Sequence, residues 1–140
     1  MNVRDLRVDN LVVQSLPFGS DKIKKLTIGD LALIEGKGSE EDYLAIPLTR
    51  NWLISFGFEH YGVVRVNEYE SYSRWVLRNI IDGTSNFEVH VINSNYGGIE
   101  SKEICFSIDN DERQYVKETS FVHNLQNCFY QCTGFELTHK

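Results

Sequence analysis

The sequence predicts an α+β fold: a small β-rich N-terminal part, a short helix, an antiparallel β-meander and a C-terminal amphipathic helix packed on the sheet. Three observations carry that prediction. Between Tyr72 and Ile108 apolar and polar residues alternate, with turn signals separating the runs, as in antiparallel strands. Between Glu118 and Thr133 the apolar positions recur instead at helical spacing. Before residue 45 the apolar runs are short and interrupted by Gly, Asp and Asn, which suits a small curved sheet. With 140 residues, the chain divides into a β-rich subdomain over residues 1–45 and an α+β body over residues 46–140, together one compact unit.

Taken in order, Leu11-Val12-Val13 follows the polar Asp9-Asn10 and is the first strand. Ile23, Lys25 and Thr27 alternate with Lys24, Leu26 and Ile28 in the second, and Phe18-Gly19-Ser20-Asp21 is the turn between them. Leu31-Ala32-Leu33-Ile34, behind Gly29-Asp30, reads as another strand. Gly36-Lys37-Gly38-Ser39 is then a loop, followed by the acidic Glu40-Glu41-Asp42. A short helix follows Pro47. Thr49 is its N-cap, with the hydroxyl accepting a free backbone N–H, and Gly57 takes the left-handed position that ends it. Trp52, Leu53 and Phe56 mark its buried side.

From Tyr72 to Ile81, Ser73, Trp75, Leu77, Asn79 and Ile81 fall on one strand face. Tyr72, Arg74, Val76, Arg78 and Ile80 fall on the other. Asp82-Gly83 is a hairpin signal, Phe87–Ile92 a second strand, Asn95-Tyr96-Gly97-Gly98 a turn, and Ile104–Ile108 a third strand. Asp109-Asn110-Asp111-Glu112 closes the meander, and Tyr115-Val116 can add a short strand. In the last helix Phe121, Val122, Leu125, Cys128, Phe129 and Cys132 fill an arc of about 120°. Gly134 terminates it, and Phe135 and Leu137 fold back on the sheet.

Composition excludes several classes. A chain with 41% hydrophobic residues is not disordered, and a net charge of −6 argues against a general polyanion binder. No apolar run is long enough to span a bilayer, and the first residues carry no secretory signal. Three cysteines cannot all pair within one chain, and no Asn-x-Ser/Thr site occurs. The expected location is the cytoplasm of the cell that makes it.

Motifs for chemistry are weak. Cys128 and Cys132 share a helix face, and Cys105, His123 and His139 could add metal ligands. However, His123 lies roughly 140° from Cys128 on the helix, and both helical thiols fall in the apolar arc. They are expected to be core residues, reduced and metal-free. The Gly36–Ser39 loop lacks the length of a phosphate loop. Asp109–Glu112 lacks the next ligands of a calcium loop, since Arg113 and Gln114 follow. Ser120 and His123 have no third group to orient them. No catalytic residue, metal or cofactor is expected, and the protein is expected to be non-enzymatic.

Two segments resemble a known family. Ile46-Pro47-Leu48-Thr49 with Trp52-Leu53 and Phe56-Gly57-Phe58 is one. The other is Phe121-Val122-His123-Asn124-Leu125-Gln126-Asn127 with Phe129-Tyr130, Thr133-Gly134 and Glu136-Leu137. Together with Leu6-Arg7-Val8-Asp9-Asn10-Leu11-Val12 they resemble small uncharacterised proteins of phages and prophages of Bacteroidetes-type bacteria. In that family a glycine often precedes the asparagine; here Asp9 stands in its place, so a left-handed turn there would have to accommodate a Cβ. The resemblance implies a phage or prophage accessory protein and brings no catalytic residues.

Two surfaces are candidates for binding. His123, Gln126, Asn127 and Tyr130 lie within about one quadrant of the last helix, opposite its apolar stripe. They form either an adaptable contact surface or a face covered by a sheet edge or by the N-terminal subdomain, with the amides satisfying its backbone. Tyr72, Arg74 and Arg78 share a strand face that could stack bases and hold phosphates or could simply solvate the sheet, and Lys22, Lys24 and Lys25 form a local basic cluster. The functional expectation is stoichiometric binding of a host or phage protein, including one within a nucleoprotein complex. An anti-defence inhibitor, of a CRISPR effector for example, is the form the phage resemblance suggests. Direct nucleic-acid binding through the Tyr/Arg face is the alternative.

Overall fold

Two antiparallel sheets share one long helix between them. The structure is a computed structural model and describes residues 6–16, 19, 21–37, 43–81, 83–108, 112–115 and 121–138. The first sheet has strand order β2-β1-β3, from β1 (Leu11–Gln14), β2 (Lys22–Lys25) and β3 (Tyr43–Leu44). The second is a five-stranded meander of β4 (Glu59–Arg65), β5 (Glu70–Ile81), β6 (Ser85–Tyr96), β7 (Ile99–Ile108) and β8 (Glu112–Tyr115). Helices α1 (Ile28–Lys37), α2 (Arg50–Ser55) and α3 (Val122–Thr133) complete the α+β architecture.

Residues 31–34 are the clearest departure from expectation, because they belong to α1 and not to a strand. The deciding signal is local. The Thr27 N–H donates to the Asp30 carboxylate at 2.9 Å, and the Asp30 N–H donates back to the Thr27 hydroxyl at 3.2 Å. This reciprocal pair satisfies two backbone donors at the helix start. Leu31 and Ile34 then pack together while Leu33 points outward, a helical and not an alternating pattern. Gly36 and Lys37, expected in a loop, form the last turn of α1. Burial pushes the Asp30 carboxyl up, but hydrogen bonds from Lys24, Thr27 and Tyr43 outweigh it and bring the pKa down to about 2.

Strand β1 serves both halves through its alternation. Val12 packs with Leu26, Ile34 and Tyr43 in a small core of its own, whereas Leu11 and Val13 turn toward the main core. The turn ahead of β1 forms with Asp9 at φ 73°, so the aspartate takes the left-handed conformation without a glycine. Its N–H donates to the Leu26 carbonyl at 2.9 Å.

The main core lies between the meander, α2 and α3. Phe87 is at its centre, 5.3 Å from the Phe129 ring in an edge contact and 6.0 Å from Phe106. Leu53 and Phe56 of α2, Trp75, Val89, Val122 and Leu125 surround it. Thr49 occupies the N-cap position of α2, but its side chain makes no capping hydrogen bond. Gly57 at φ 96° and Gly134 at φ 75° end α2 and α3 in the left-handed region, where a Cβ would be strained.

The two faces of β5 alternate as expected from Tyr72 to Leu77. The register then slips between Leu77 and Ile81, with Asn79 at φ 52°, so Ile80 and not Asn79 packs on the core. Strands β6 and β7 run beyond the expected segments and meet at Gly97-Gly98, both at positive φ as a tight hairpin turn requires. Several expected features lie wholly or partly outside the described residues. They are the Phe18–Asp21 and Asp82-Gly83 turns, Gly38-Ser39, the Glu40–Asp42 run, the start of the Asp109–Glu112 turn, Val116, the first residues of the last helix, and His139.

Candidate functional site

The polar side of α3 is used inside the molecule. Gln126 is 2% exposed; its Oε1 accepts the Leu11 N–H at 2.8 Å and its Nε2 donates to the Asp9 carbonyl at 3.3 Å. Asn127 Oδ1 accepts from Asn10 Nδ2 at 2.8 Å, and Asn10 Oδ1 in turn accepts the Arg7 N–H. His123 is buried and stacks on Phe121, with rings 5.8 Å apart and nearly parallel. The N-terminal sheet therefore covers this face, and its backbone finds partners in the amides, the second of the two readings that the sequence left open. Tyr130 alone of the four stays exposed, with the Arg7 guanidinium 4.5 Å over its ring. Arg7 also bridges to Glu136 and donates to the Gln126 carbonyl.

The outward face of β5 is likewise committed to the fold. Tyr72 is buried and stacks on His90 at 4.8 Å. Arg74 grips Glu88 with two hydrogen bonds, at 2.8 and 3.0 Å, and Glu88 meets His90 Nε2 at 3.0 Å. Glu88 and His90 are fully buried. Burial would raise the Glu88 pKa, but hydrogen bonds from Arg74 and His90 hold it below the usual carboxylate range. The same bonds raise the pKa of Arg74. Arg78 is exposed and pairs with Glu59 at 2.8 Å. The sequence did not single out Glu88 or His90, although the alternation in Phe87-Glu88-Val89-His90-Val91 places both opposite the core.

A bulge in β4 supports this arrangement. The register shift between His60 and Gly62 adds one residue, and Gly62 takes φ 108°. The Tyr61 ring then lies 5.6 Å from Arg74 and 5.1 Å from Arg78, while the neighbouring His60 ring packs tilted against Trp75 at 4.6 Å on the core side.

The thiols pack where the helical arc placed them. Cys128 and Cys132 lie against the main core, and Cys105 is buried with Tyr72 and Ile92. Burial, then the neighbouring Cys132, pushes the Cys128 thiol up to about 12. Among the described residues no group of three or more His, Cys, Asp or Glu side chains is placed to hold a metal ion. No helix among them is long and apolar enough to cross a membrane.

What remains open is the far half of the meander. Burial ends at Ile92 on β6 and at Ile104 on β7, and the strands continue past both into solvent. The two hairpin ends carry Val66, Tyr69, Tyr96 and Ile99, all exposed, with the two tyrosine rings 5.6 Å apart. The Asn95 N–H donates to the Tyr69 carbonyl at 2.7 Å and ties the two ends together. On the core-side face a groove of about 740 Å³ runs past Val63, Arg65, Ser71, Asn95, Glu100 and Lys102. No periodicity announces this surface; it arises because two long hairpins outrun the helices that cover them. No known family model, curated protein or solved structure matches the chain.

Proposed function

We propose that the protein acts by stoichiometric binding of a partner protein through the far half of its meander, without turnover. The carrying observation is the cluster at the hairpin ends, where Ile99 is 74% exposed beside Tyr69 and Tyr96. Large apolar and tyrosine side chains grouped on a rigid, projecting sheet are the usual composition of an interface centre. Tyrosine loses little rotamer freedom on binding and supplies both apolar area and a hydroxyl. The described polar groups elsewhere are largely spent inside the molecule, which leaves this end as the main candidate for contact.

The phage resemblance supplies the kind of partner: a host protein in the cytoplasm, with a defence component such as a CRISPR effector as the first target to try. The alternative of nucleic-acid binding through Tyr72, Arg74 and Arg78 draws little support, because Tyr72 is buried and both arginines face carboxylates.

The test is capture from host lysate, with and without nuclease, by the parent protein and by Y69A/Y96A and I99S variants. Nuclease-resistant capture of one partner at about one copy per target is expected. Loss of an anchor should weaken it by at least about 2 kcal/mol while melting is unchanged. Capture that survives all three substitutions, or inactivation of many targets by one copy, would overturn the reading.

A further inference from the structure

Where the exposed half of the meander meets α2 there is a second, smaller cleft of about 240 Å³. Its back wall is apolar, from Leu48, Leu53, Trp75, Val91 and Ile104. Its polar groups are Thr49, Arg50, His60, Ser73, Asn93 and Lys102. Among the described residues no carboxylate lines it, although the chain as a whole carries a net charge of −6. The larger groove beyond it differs, since Glu68, Glu70 and Glu100 line that one.

Three of these polar groups are positioned. Trp75 holds two of them: the Arg50 guanidinium lies 5.7 Å from its ring centre, and the His60 ring 4.6 Å. Lys102 stands directly across from Asn93 in the β6–β7 register, and both residues line the cleft. None of the three pairs with a carboxylate among the described residues. The Thr49 hydroxyl, free of a capping role, also borders the cleft, as do Ser73 and Asn93. The result is a set of donors with few acceptors among the described residues: guanidinium, ammonium, hydroxyls and an amide, with an imidazole that can donate in either charge state.

The geometry points to a binding site for a small phosphate monoester, its phosphate held by Arg50, His60 and Lys102 and its body against the apolar wall. A dianionic phosphate has three terminal oxygens, each able to accept more than one hydrogen bond, and so uses this donor set more fully than a carboxylate. The cleft volume suits a ligand the size of one nucleotide fragment and not a polymer. This site adjoins the open half of the meander, since Asn93 and Lys102 line both the cleft and the larger groove, but it uses none of the hairpin-end residues Val66, Tyr69, Tyr96 and Ile99.

Titration of ¹⁵N-labelled full-length protein with adenosine monophosphate, inorganic phosphate, adenosine and benzoate tests the assignment. Saturable amide shifts at Ser73, Asn93 and Lys102 are expected with the monophosphate, weaker ones with inorganic phosphate, and none with adenosine. R50Q and K102Q should each weaken the monophosphate by about tenfold or more, as loss of a charged hydrogen bond implies. K22Q, remote from the cleft, should bind like the parent. Both arginine and lysine are solvent-facing, so melting curves should stay with the parent; if one variant melts early, the other and the parent titration still decide. Absence of saturable shifts with the monophosphate would overturn the assignment. So would equal binding by R50Q and K102Q, or benzoate binding as tightly as the monophosphate.

Discussion

Replacing Gln126 with methionine asks whether the polar face of α3 holds the two sheets together. Methionine keeps the length and approximate volume of glutamine, so the substitution removes the amide with little change in packing. Two hydrogen bonds are lost. The Leu11 N–H, now paired with Gln126 Oε1 at 2.8 Å, is left without a partner at a residue only 5% exposed. A buried unsatisfied donor costs about 1–3 kcal/mol. The Asp9 carbonyl loses a longer bond of 3.3 Å at a half-buried residue where water can replace it, so it contributes little. The expected loss is therefore about 2 kcal/mol, equivalent to a drop in melting temperature of roughly 6 °C for a chain of this size. Urea unfolding measures the first quantity and calorimetry the second. Amide exchange at Leu11 and Val12 should accelerate more than at Phe87 or Val89, because the bond anchors the small sheet and not the meander. A variant within about 0.5 kcal/mol of the parent, with Leu11 still protected, would refute the structural role given to this face.

Four further outcomes are expected. Phe129→Ala removes the ring that packs edge-on against Phe87 and should cost about 3–5 kcal/mol in urea unfolding; a loss below about 1 kcal/mol would place the ring outside the core. Arg74→Ala leaves the buried Glu88 carboxylate without its bidentate partner and should cost about 3–5 kcal/mol, whereas a pure binding residue would leave unfolding unchanged. With a pKa lowered from 3.8 to about 2, Asp30 contributes stability that is complete above about pH 4 and fades as pH falls toward 2; D30N should flatten that part of a stability–pH curve. Cys128, its thiol pushed up to about 12, should react with a thiol reagent at neutral pH far more slowly in the native protein than in urea.

The binding candidates on α3 and β5 illustrate why sites are harder to read than elements. A helical wheel places His123, Gln126, Asn127 and Tyr130 together, and so they are, but it cannot say what lies against them. Leu11 and Asp9, more than a hundred residues earlier in the chain, supply the cover. Arg74 looks like a free cation until the β5–β6 register sets it opposite His90 and diagonally across from Glu88. The cleft residues come from α2 and the approach to it and from β4, β5, β6 and β7, so no single spacing along the chain links them. Thr27 and Asp30 are different. Their three-residue spacing ahead of an apolar run is a helix-start signal legible in the sequence, and it favours helix over strand for residues 31–34.

By itself the sequence determined the α+β class, the meander, the short helix ended by Gly57, the apolar stripe of α3 and the packing of Cys128 and Cys132 within it. Each of these follows from periodicity or from one residue's backbone preference, and both act over a few neighbouring positions. Only the tertiary structure decided that the polar face of α3 is covered at His123 and Gln126, that Glu88 and His90 neutralise and shield the Tyr72–Arg74 face, and that the open surface lies at the ends of two hairpins. Those outcomes depend on strand register and on which segments meet across long chain separations. A bulge at Tyr61-Gly62 or a slip at Asn79 changes the register without changing the alternation that the sequence displays.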